Sequence, residues 1–298
     1  MGDGRKVVVV GAAGFLGSRI AAAFEASGAR VLRIARRPVS GDGEWAALDL
    51  CADPLERAAE VLASAAVVVN AAGAAWGVTD HQMEQSNAEL TRRLVAAVPR
   101  RARLIQLGSI HEYGPLPAGV GITEDTPTEP VGGYGRTKLA GSRAVLDAAR
   151  AGELDGVVLR IANVSGPGTP RSSLLGMVAH HLTHTPEQEL RLAPLVARRD
   201  FVDVRDVAGA VLAAALGEVG GQVVNVGRGE ALSVRELVLR LAELRGTELR
   251  LVEDGAGAAP HQAVEWQRLD ITRAGALLGW RPRWSVDESL RDLLAAAG

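Results

Sequence analysis

The chain has few of the features that mark secreted, membrane or nucleic-acid-binding proteins. Its 298 residues include one cysteine, Cys51, which excludes an intramolecular disulfide, and a formal net charge of −2 favours no nucleic-acid partner. The N-terminus enters a strand-like run of valines without the longer apolar stretch of a signal peptide or a membrane span. We therefore expect a protein of the reducing cytoplasm with no membrane partner, and the 47% of hydrophobic residues suits one large or two interlocked domains.

Short apolar runs alternate with helical segments along the first half of the chain. Such alternation is typical of α/β proteins with a doubly wound parallel sheet. The predicted strands are 6–10, 30–34, 45–48, 66–70, 103–107, 157–161 and a last strand at 222–226. The predicted helices include 82–98, 134–151 and 172–182, while 201–215 and 233–244 indicate further helices or strand–helix units. Residues 114–133 are rich in Pro, Gly and Thr and are predicted to form a loop.

A glycine-rich turn, Gly11-Ala12-Ala13-Gly14-Phe15-Leu16-Gly17, follows the first predicted strand and opens into a segment with helical spacing. In this context Gly11 allows a sharp turn, Gly14 lets the backbone approach a pyrophosphate, and Gly17 permits close packing of helix on sheet. The N-terminus of the helix would face the phosphates. A purely structural turn is the alternative, but the strand–turn–helix order favours a dinucleotide site that includes Phe15 and Leu16.

Tyr134 and Lys138 are four residues apart in a predicted helix, downstream of this turn. Residues at that spacing share a helix face, so the Lys138 ammonium can lie beneath the Tyr134 ring. A fixed cation favours the phenolate, so we expect Lys138 to lower the pKa of Tyr134 from about 10 and to let it exchange a proton at neutral pH. A surface pair is the alternative, but the pair and the turn together indicate a nicotinamide enzyme.

Six further motifs occur in order along the chain. They are Asn70-Ala71-Ala72-Gly73, Gly108-Ser109-Ile110-His111-Glu112-Tyr113-Gly114, Arg160-Ile161-Ala162-Asn163-Val164-Ser165-Gly166-Pro167-Gly168, Arg199-Asp200-Phe201-Val202-Asp203-Val204-Arg205-Asp206-Val207, Asn225-Val226-Gly227 and Leu278-Gly279-Trp280-Arg281-Pro282. With the turn and the Tyr134/Lys138 pair, they resemble the extended short-chain dehydrogenase/reductase family, whose members commonly act on nucleotide-linked sugars. The resemblance covers almost the whole chain.

The resemblance implies a Rossmann-like sheet and two units. A dinucleotide-binding domain is expected at 1–165 plus about 201–227, and a smaller C-terminal substrate lobe at about 166–200 plus 228–298. Related enzymes often form homodimers through two helices, and the helices that include 82–98 and 134–151 are candidates.

The resemblance also implies roles for single residues. Ser109 would hydrogen-bond the reacting oxygen beside Tyr134, and Lys138 would bind the nicotinamide ribose. Asp49 would contact adenine, with Leu50 beside it. Taken alone, Ser109 is typical of a turn or cap, and Asp49 of a cap for a helix at 53–62. The same resemblance adds Asn70, Ala71, Ala72 and Gly73 to the cofactor site.

The charges after the second predicted strand indicate which cofactor is used. Where an NAD enzyme would place an acidic residue against the ribose, this chain has Ala35 followed by Arg36 and Arg37. A guanidinium can bind a 2′-phosphate that a carboxylate would repel, so NADP(H) is predicted with Arg36 as the contact. A solvated basic turn is the alternative. Because reductases of the family commonly use NADPH and epimerases retain NAD, we infer a ketoreductase with Tyr134 as proton donor.

The substrate residues follow from the resemblance. Dehydratases of the family carry Asp-Glu directly after the Ser109 position, where this chain has Ile110 and His111, so dehydration is not expected. His111 could be an auxiliary donor or an ordinary hydrogen-bonded histidine. Asn163 and Arg199 match residues that bind a substrate diphosphate, but Asn163 could cap a loop and Arg199 could pair with Asp200 or Asp203 on the surface. The stretch 253–265 lacks the second diphosphate-binding arginine that the family often has, leaving Arg268 later.

These features most resemble nucleotide-activated 4-keto-6-deoxyhexose ketoreductases. An epimerase of nucleotide sugars and a reductase of a non-nucleotide ketone or aldehyde are alternatives. A catalytically idle NADP-binding sensor is a third, although a pure binder needs no proton donor like Tyr134. His180 and His184 have ligand-like spacing, but no His-Glu-x-x-His pattern accompanies them, and no metal site is expected.

Overall fold

The computed structural model describes residues 4–37, 41–75, 77–185, 189–254 and 264–298. Its strands are β1 (Lys6–Val10), β2 (Arg30–Ala35), β3 (Glu44–Ala47), β4 (Val67–Asn70), β5 (Arg103–Ser109), β6 (Asp155–Ile161), β7 (Asn163–Ser165), β8 (Glu189–Leu192), β9 (Arg198–Arg199), β10 (Phe201–Asp203), β11 (Val223–Val226), β12 (Leu232–Ser233) and β13 (Arg250–Glu253). Its α-helices are α1 (Phe15–Ala26), α2 (Leu55–Leu62), α3 (Asp80–Met83), α4 (Leu90–Ala97), α5 (Gly133–Arg150), α6 (Leu174–His184), α7 (Val204–Leu216), α8 (Val234–Arg245), α9 (Thr272–Leu278) and α10 (Val286–Ala297).

Seven of these strands form one sheet in the order β11-β6-β5-β4-β1-β2-β3, and every neighbouring pair is parallel. This is the predicted doubly wound α/β sheet, and each of the seven strands lies within two residues of its predicted position. The chain reverses its direction of winding between β1 and β4. In such sheets ligands bind at that switch point, at the carboxyl ends of the strands.

Alternating valines explain why the sheet is covered on both faces. Val7 and Val9 of β1 pack into one hydrophobic core with α1 and α7, while Val8 and Val10 pack into another with α2, α4 and α5. Since side chains of a strand alternate between faces, one valine run can fill both cores. A continuous apolar run is therefore the expected signature of a central parallel strand.

The region predicted as one helix at 82–98 is not a single α-helix. It consists of α3, a π-helical segment at Glu84–Glu89 and α4. A π-helical turn changes the register of side chains and often occurs at functional sites. Here it carries the buried Asn87, whose contacts are described below.

The C-terminal half contains a third hydrophobic core, formed by α6, α8 and α10 with the adjoining strands. The predicted unit at 201–215 is a short strand, β10, followed by α7, which packs against the main sheet. This separation favours a second lobe, whose predicted boundaries stay a prediction. Among the described residues, no helix combines the length and apolar character needed to cross a bilayer.

Candidate active site

The glycine turn lies at the carboxyl end of β1, at the switch point. Gly11 has a φ of 77°, and a Cβ there would lie 2.7 Å from the backbone nitrogen of Ala72, after β4. A Cβ on Gly17 would overlap the carbonyl oxygen of Gly11, so this helical glycine lets α1 begin against the turn. Gly14 is exposed and is the N-cap of α1, with no side-chain cap among the described residues. The N-terminus of α1 has free backbone N–H groups above the narrow glycine turn, and this arrangement suits the binding of a pyrophosphate.

The segment Asn70–Gly73 forms the neighbouring wall of the crevice. Asn70 is buried, and its amide donates to Gln106 Oε1 at 2.8 Å and to Thr91 Oγ1 at 3.1 Å while its carbonyl accepts from the Ala72 amide at 3.2 Å. Gly73 lies close to the catalytic helix, since a Cβ there would be 3.8 Å from Lys138 Nζ. The Asn70 side chain therefore shapes this wall.

Asn87 is a site residue that the helical pattern did not identify. Its carbonyl accepts from the Ala74 amide at 2.9 Å, and its amide donates to Ala74 O at 2.9 Å and to Thr137 Oγ1 at 3.0 Å. These bonds tie the wall after Gly73 to α5, directly beside Lys138 in sequence. The π-helical segment turns Asn87 inward, a feature that no periodicity of 3.6 residues reveals.

Arg36 lies at the end of the crevice where an adenosine ribose would be expected. Arg36 and Arg37 are both exposed directly after β2. In the neighbouring turn, Asp49 Oδ1 accepts from the backbone amides of Cys51 at 2.9 Å and Ala52 at 3.2 Å. Burial raises the pKa of the Cys51 thiol, with Arg36 among the charges that oppose this rise, so the guanidinium and the Asp49 turn are neighbours.

Asp49 does not cap the following helix, which was the alternative role. The N-cap of α2 is Pro54, and Asp49 closes the preceding turn instead. The Leu50 side chain is buried in a hydrophobic core of the sheet. The predicted contacts of Asp49 and Leu50 with adenine stay predictions.

Ser109, Tyr134 and Lys138 come together at the carboxyl end of β5. Ser109 is the last residue of that strand, and α5 carries the other two side chains. Ser109 lies near enough to Tyr134 to lower the pKa of its hydroxyl, and Lys138 Nζ donates to Leu107 O at 2.5 Å. Ser109 also caps the 3₁₀ turn Ile110–Glu112 and accepts from the His111 amide at 3.2 Å. The serine is therefore a cap, and its predicted hydrogen bond to the reacting oxygen stays a prediction.

The protonation of this group differs from the expectation. Burial raises the pKa of Tyr134, and the negative charge of Glu112 adds to that rise, while the hydrogen bond with Ser109 opposes it. Burial lowers the pKa of Lys138. The pKa of Tyr134 therefore moves upward, opposite to the direction predicted from Lys138, because burial is the largest cause of the shift. A raised pKa favours the neutral phenol, which is the form that can donate a proton.

Glu112 lies in the interior beneath Ser109. Its side chain is fully buried, and its carboxylate accepts from the Ser109 amide at 2.9 Å, Ser142 Oγ at 2.8 Å and Arg160 Nε at 2.8 Å. The Ser-x-x-Glu spacing from Ser109 is a capping-box pattern that is visible in the sequence. Its pairing with Arg160, 48 residues later, is not.

His111 faces Tyr134. The strand ends at Ser109, so His111 and Glu112 lie on a 3₁₀ turn rather than on opposite faces of a continued strand. The His111 ring is half-buried, with its centroid 5.8 Å from that of Tyr134 and the planes at 68°. Among the predicted substrate residues, His111 thus contacts the Tyr134 ring.

Asn163 and Arg199 lie further along the chain, in β7 and β9. Asn163 Nδ2 donates to Asp200 O at 3.0 Å. The half-buried Arg199 donates to Gln267 Oε1 at 3.4 Å and to Val264 O at 3.3 Å, and burial lowers its pKa. The stretch 253–265, which lacks the second diphosphate-binding arginine, lies partly outside the described residues, since 255–263 are not described. The diphosphate-binding roles stay predictions.

Two remaining observations bear on the expected chemistry. Arg268, the later arginine, donates to Gly119 O at 3.0 Å. His180 and His184 stack on α6 with ring centroids 4.2 Å apart. In the part of the chain that the structure covers, no three His, Cys, Asp or Glu side chains are grouped so as to hold a metal ion.

Comparison with known proteins agrees with this geometry. The sequence profile of the NAD dependent epimerase/dehydratase family matches residues 7–227. The dTDP-6-deoxy-L-talose 4-dehydrogenase (NAD(P)(+)) of Kitasatospora kifunensis is 43% identical over 302 residues, which cover 98% of this chain and 95% of that relative.

Solved structures show the same architecture. MoeE5 in complex with UDP-glucose and NAD has a TM-score of 0.86 at 29% identity, covering 97% of each chain. RMD from Pseudomonas aeruginosa complexed with NADPH has a TM-score of 0.84 at 24% identity and covers 98% of this chain and 99% of its own, a likeness of fold. The chain thus belongs to the NAD dependent epimerase/dehydratase family of extended short-chain dehydrogenases/reductases and is an NAD(P)-dependent oxidoreductase.

Proposed function

We propose that this protein is an NADPH-dependent ketoreductase that reduces a carbonyl group of a nucleotide-linked sugar, with a dTDP-4-keto-6-deoxyhexose as the favoured substrate. The observation that carries the proposal is the Ser109–Tyr134–Lys138 group at the carboxyl end of β5, where Ser109 ends the strand and α5 carries Tyr134 and Lys138. A protonated phenol beside a serine hydroxyl suits reduction, because the carbonyl oxygen gains a proton as the carbon is reduced.

The roles of the chain's own residues follow from their positions. Reduced nicotinamide, when bound, supplies the two electrons for the carbonyl carbon. Tyr134 gives its proton to the carbonyl oxygen, and Ser109 donates a hydrogen bond to the same oxygen as charge develops on it. Lys138, between Leu107 O and Gly73, binds the ribose hydroxyls and relays a proton from water back to Tyr134.

NADPH is the proposed reductant because of the charges around the adenosine end. β2 ends at Ala35 rather than at an acidic residue, and the exposed Arg36 follows near the Asp49 turn. A guanidinium there can form charge-assisted hydrogen bonds with a 2′-phosphate. The relative from Kitasatospora kifunensis is named for both cofactor forms, so the preference requires its own measurement.

The substrate class is supported by the same relative and by the residues next to the catalytic group. Its name describes oxidation at carbon 4 of a dTDP-linked 6-deoxy sugar, the reverse of the reduction proposed here. His111 occupies a position where dehydratases of the family carry an acid, and it faces Tyr134. Asn163 and Arg199 are the proposed contacts to the diphosphate. A homodimer and a cytoplasmic location remain predictions.

The proposal is tested by incubating the enzyme with NADPH and a panel of nucleotide keto-sugars, with products resolved by mass. Reduction yields a product heavier by two hydrogens and consumes one NADPH per product. An isomer formed without NADPH consumption would instead identify an epimerase. Faster turnover of simple ketones or aldehydes would favour the non-nucleotide reductase, and NADPH binding without any turnover would favour the sensor.

A further inference from the structure

A series of contacts connects Ser109 to Arg199. Ser109 pairs with Ile161 on the neighbouring strand β6, so Asn163, two residues later, also lies at the carboxyl edge of the sheet. The backbone amide of Asn163 and its Nδ2 both donate to Asp200 O, at 3.1 and 3.0 Å. Arg199 directly precedes Asp200, so the two proposed diphosphate contacts lie close together at the edge where such sheets bind their ligands.

Gln267 contacts the Arg199 guanidinium from a segment much later in the chain. Gln267 is 1% exposed, and its Oε1 accepts from Arg199 Nη1 at 3.4 Å. The carbonyl oxygen of Val264 accepts from Arg199 Nη2 at 3.3 Å. Because the guanidinium is planar, acceptors on two of its nitrogens fix the direction in which it points. The segment that carries both acceptors therefore orients Arg199.

This segment is itself held by backbone hydrogen bonds. The Arg198 amide donates to Glu265 O at 2.7 Å, and the Gln267 amide donates to Arg198 O at 3.0 Å. Further along, the Leu269 amide donates to the Asp200 carboxylate at 3.1 Å. The backbone on both sides of Gln267 is therefore fixed against β9 and its neighbour, and the side chain at 267 can be changed without removing these bonds.

The chemistry of a glutamine at this place is informative. A buried polar side chain is costly unless it forms hydrogen bonds, so an acceptor here has to serve Arg199. Glutamine offers that acceptor without a negative charge, whereas a glutamate would form an ion pair with the guanidinium and neutralise the charge that a diphosphate requires. Since the stretch 253–265 contains no arginine, we expect the charge of Arg199 to matter more.

We propose that Gln267 is a positioning residue whose neutral side chain orients Arg199 toward the diphosphate of the nucleotide sugar without neutralising its charge. The inference rests on the proposed nucleotide-sugar substrate. Its test measures the binding of dTDP and therefore requires no turnover.

Gln267→Glu separates the charge of this side chain from its shape. The carboxylate keeps an acceptor for Arg199 but pairs with its charge, so we expect dTDP to bind about 10- to 100-fold more weakly in isothermal titration calorimetry of the full chain. The Kd for NADPH should stay at the wild-type value. Gln222→Glu is the matched control, since it adds the same charge at an exposed position before β11, and it should bind dTDP as wild type does.

Gln267→Leu removes the acceptor and adds no charge, and it serves if Gln267→Glu does not fold. We expect it to weaken dTDP binding by on the order of tenfold. In the background of Arg199→Gln, Gln267→Leu should cause no further loss, because the group that it positions is absent. Losses that add in the double variant would contradict the inference.

A purely structural role of Gln267 would lower the melting temperature of its variants and leave the affinity of Gln267→Glu for dTDP at the wild-type value, and that result would overturn the proposal. A wild-type protein that binds NADPH but none of dTDP, UDP and GDP would sink the proposed nucleotide-sugar function and this inference with it. If wild type binds dTDP, the variants behave as expected and no keto-sugar is reduced, the reductase function fails and the role of Gln267 stands.

Discussion

Asp200 should lower the free energy of unfolding as the pH rises, because its pKa is higher in the folded protein than in the unfolded chain. The fully buried carboxylate accepts from the backbone amides of Arg228 at 2.7 Å, Gly229 at 3.0 Å and Leu269 at 3.1 Å. It thereby joins the turn after β11 to the segment before α9. Burial raises the pKa of Asp200 to about 6, although the three amides oppose the rise.

The sign follows from proton linkage. Between the unfolded value of 3.8 and the folded value of about 6, the native state holds more protons than the unfolded state. Stability from Asp200 is therefore complete below the unfolded pKa and is lost as pH rises through the folded pKa. The difference between the two pKa values corresponds to about 3 kcal/mol of unfolding free energy over the whole titration. About 1 kcal/mol of this separates pH 8 from pH 5.

The perturbation is Asp200→Asn, measured by urea unfolding of both proteins across this pH range. The amide cannot titrate, and its NH2 group faces one of the three backbone donors, so the variant is less stable at every pH. Because the other ionisable groups are common to both proteins, the difference in unfolding free energy isolates Asp200. Wild type should gain about 1 kcal/mol relative to the variant as the pH falls from 8 to 5. Parallel curves would refute the reasoning.

Two further predictions concern the cofactor site. Arg36→Ala should weaken NADPH binding by about 10- to 100-fold in a binding titration while changing NADH binding little, since only NADPH has the extra phosphate. Arg37→Ala, at the neighbouring exposed arginine, is the control. Equal losses of affinity for both cofactors would contradict the NADPH preference. Gly17→Ala places a methyl group against the carbonyl oxygen of Gly11, so it should lower the melting temperature and abolish dinucleotide binding. A Gly17→Ala protein that binds NADPH normally would show that the close packing of α1 is not required.

Much of the fold was predictable because its signals are local. The valine run of β1 and the alternation of strands and helices identified the doubly wound sheet, including β11 as its last strand. The glycine turn and the four-residue spacing of Tyr134 and Lys138 indicated the crevice at the carboxyl ends of the strands as the candidate site. In each case the informative residues are neighbours in sequence, where strand and helix geometry fixes their relative positions.

The features that were missed depend on contacts between distant segments. Asn87 bonds to Thr137, 50 residues away, and Glu112 pairs with Arg160, 48 residues away. The predicted direction of the Tyr134 pKa was wrong, since burial, which the spacing of residues does not reveal, is the largest cause of the shift and raises the pKa. Spacing indicates which residues share a face, but it does not reveal how deeply that face is buried.

The most direct measurement of the central claim is the single-turnover reduction of a keto-sugar by Tyr134→Phe at saturating NADPH. Tyr113→Phe is the matched control, because the Tyr113 hydroxyl donates to Asn225 at 2.8 Å in the interior. The account predicts that Tyr134→Phe loses about 100-fold or more in rate while binding NADPH as wild type does, and that Tyr113→Phe retains most of its rate. A Tyr134→Phe enzyme that reduces the substrate at the wild-type rate would contradict the account.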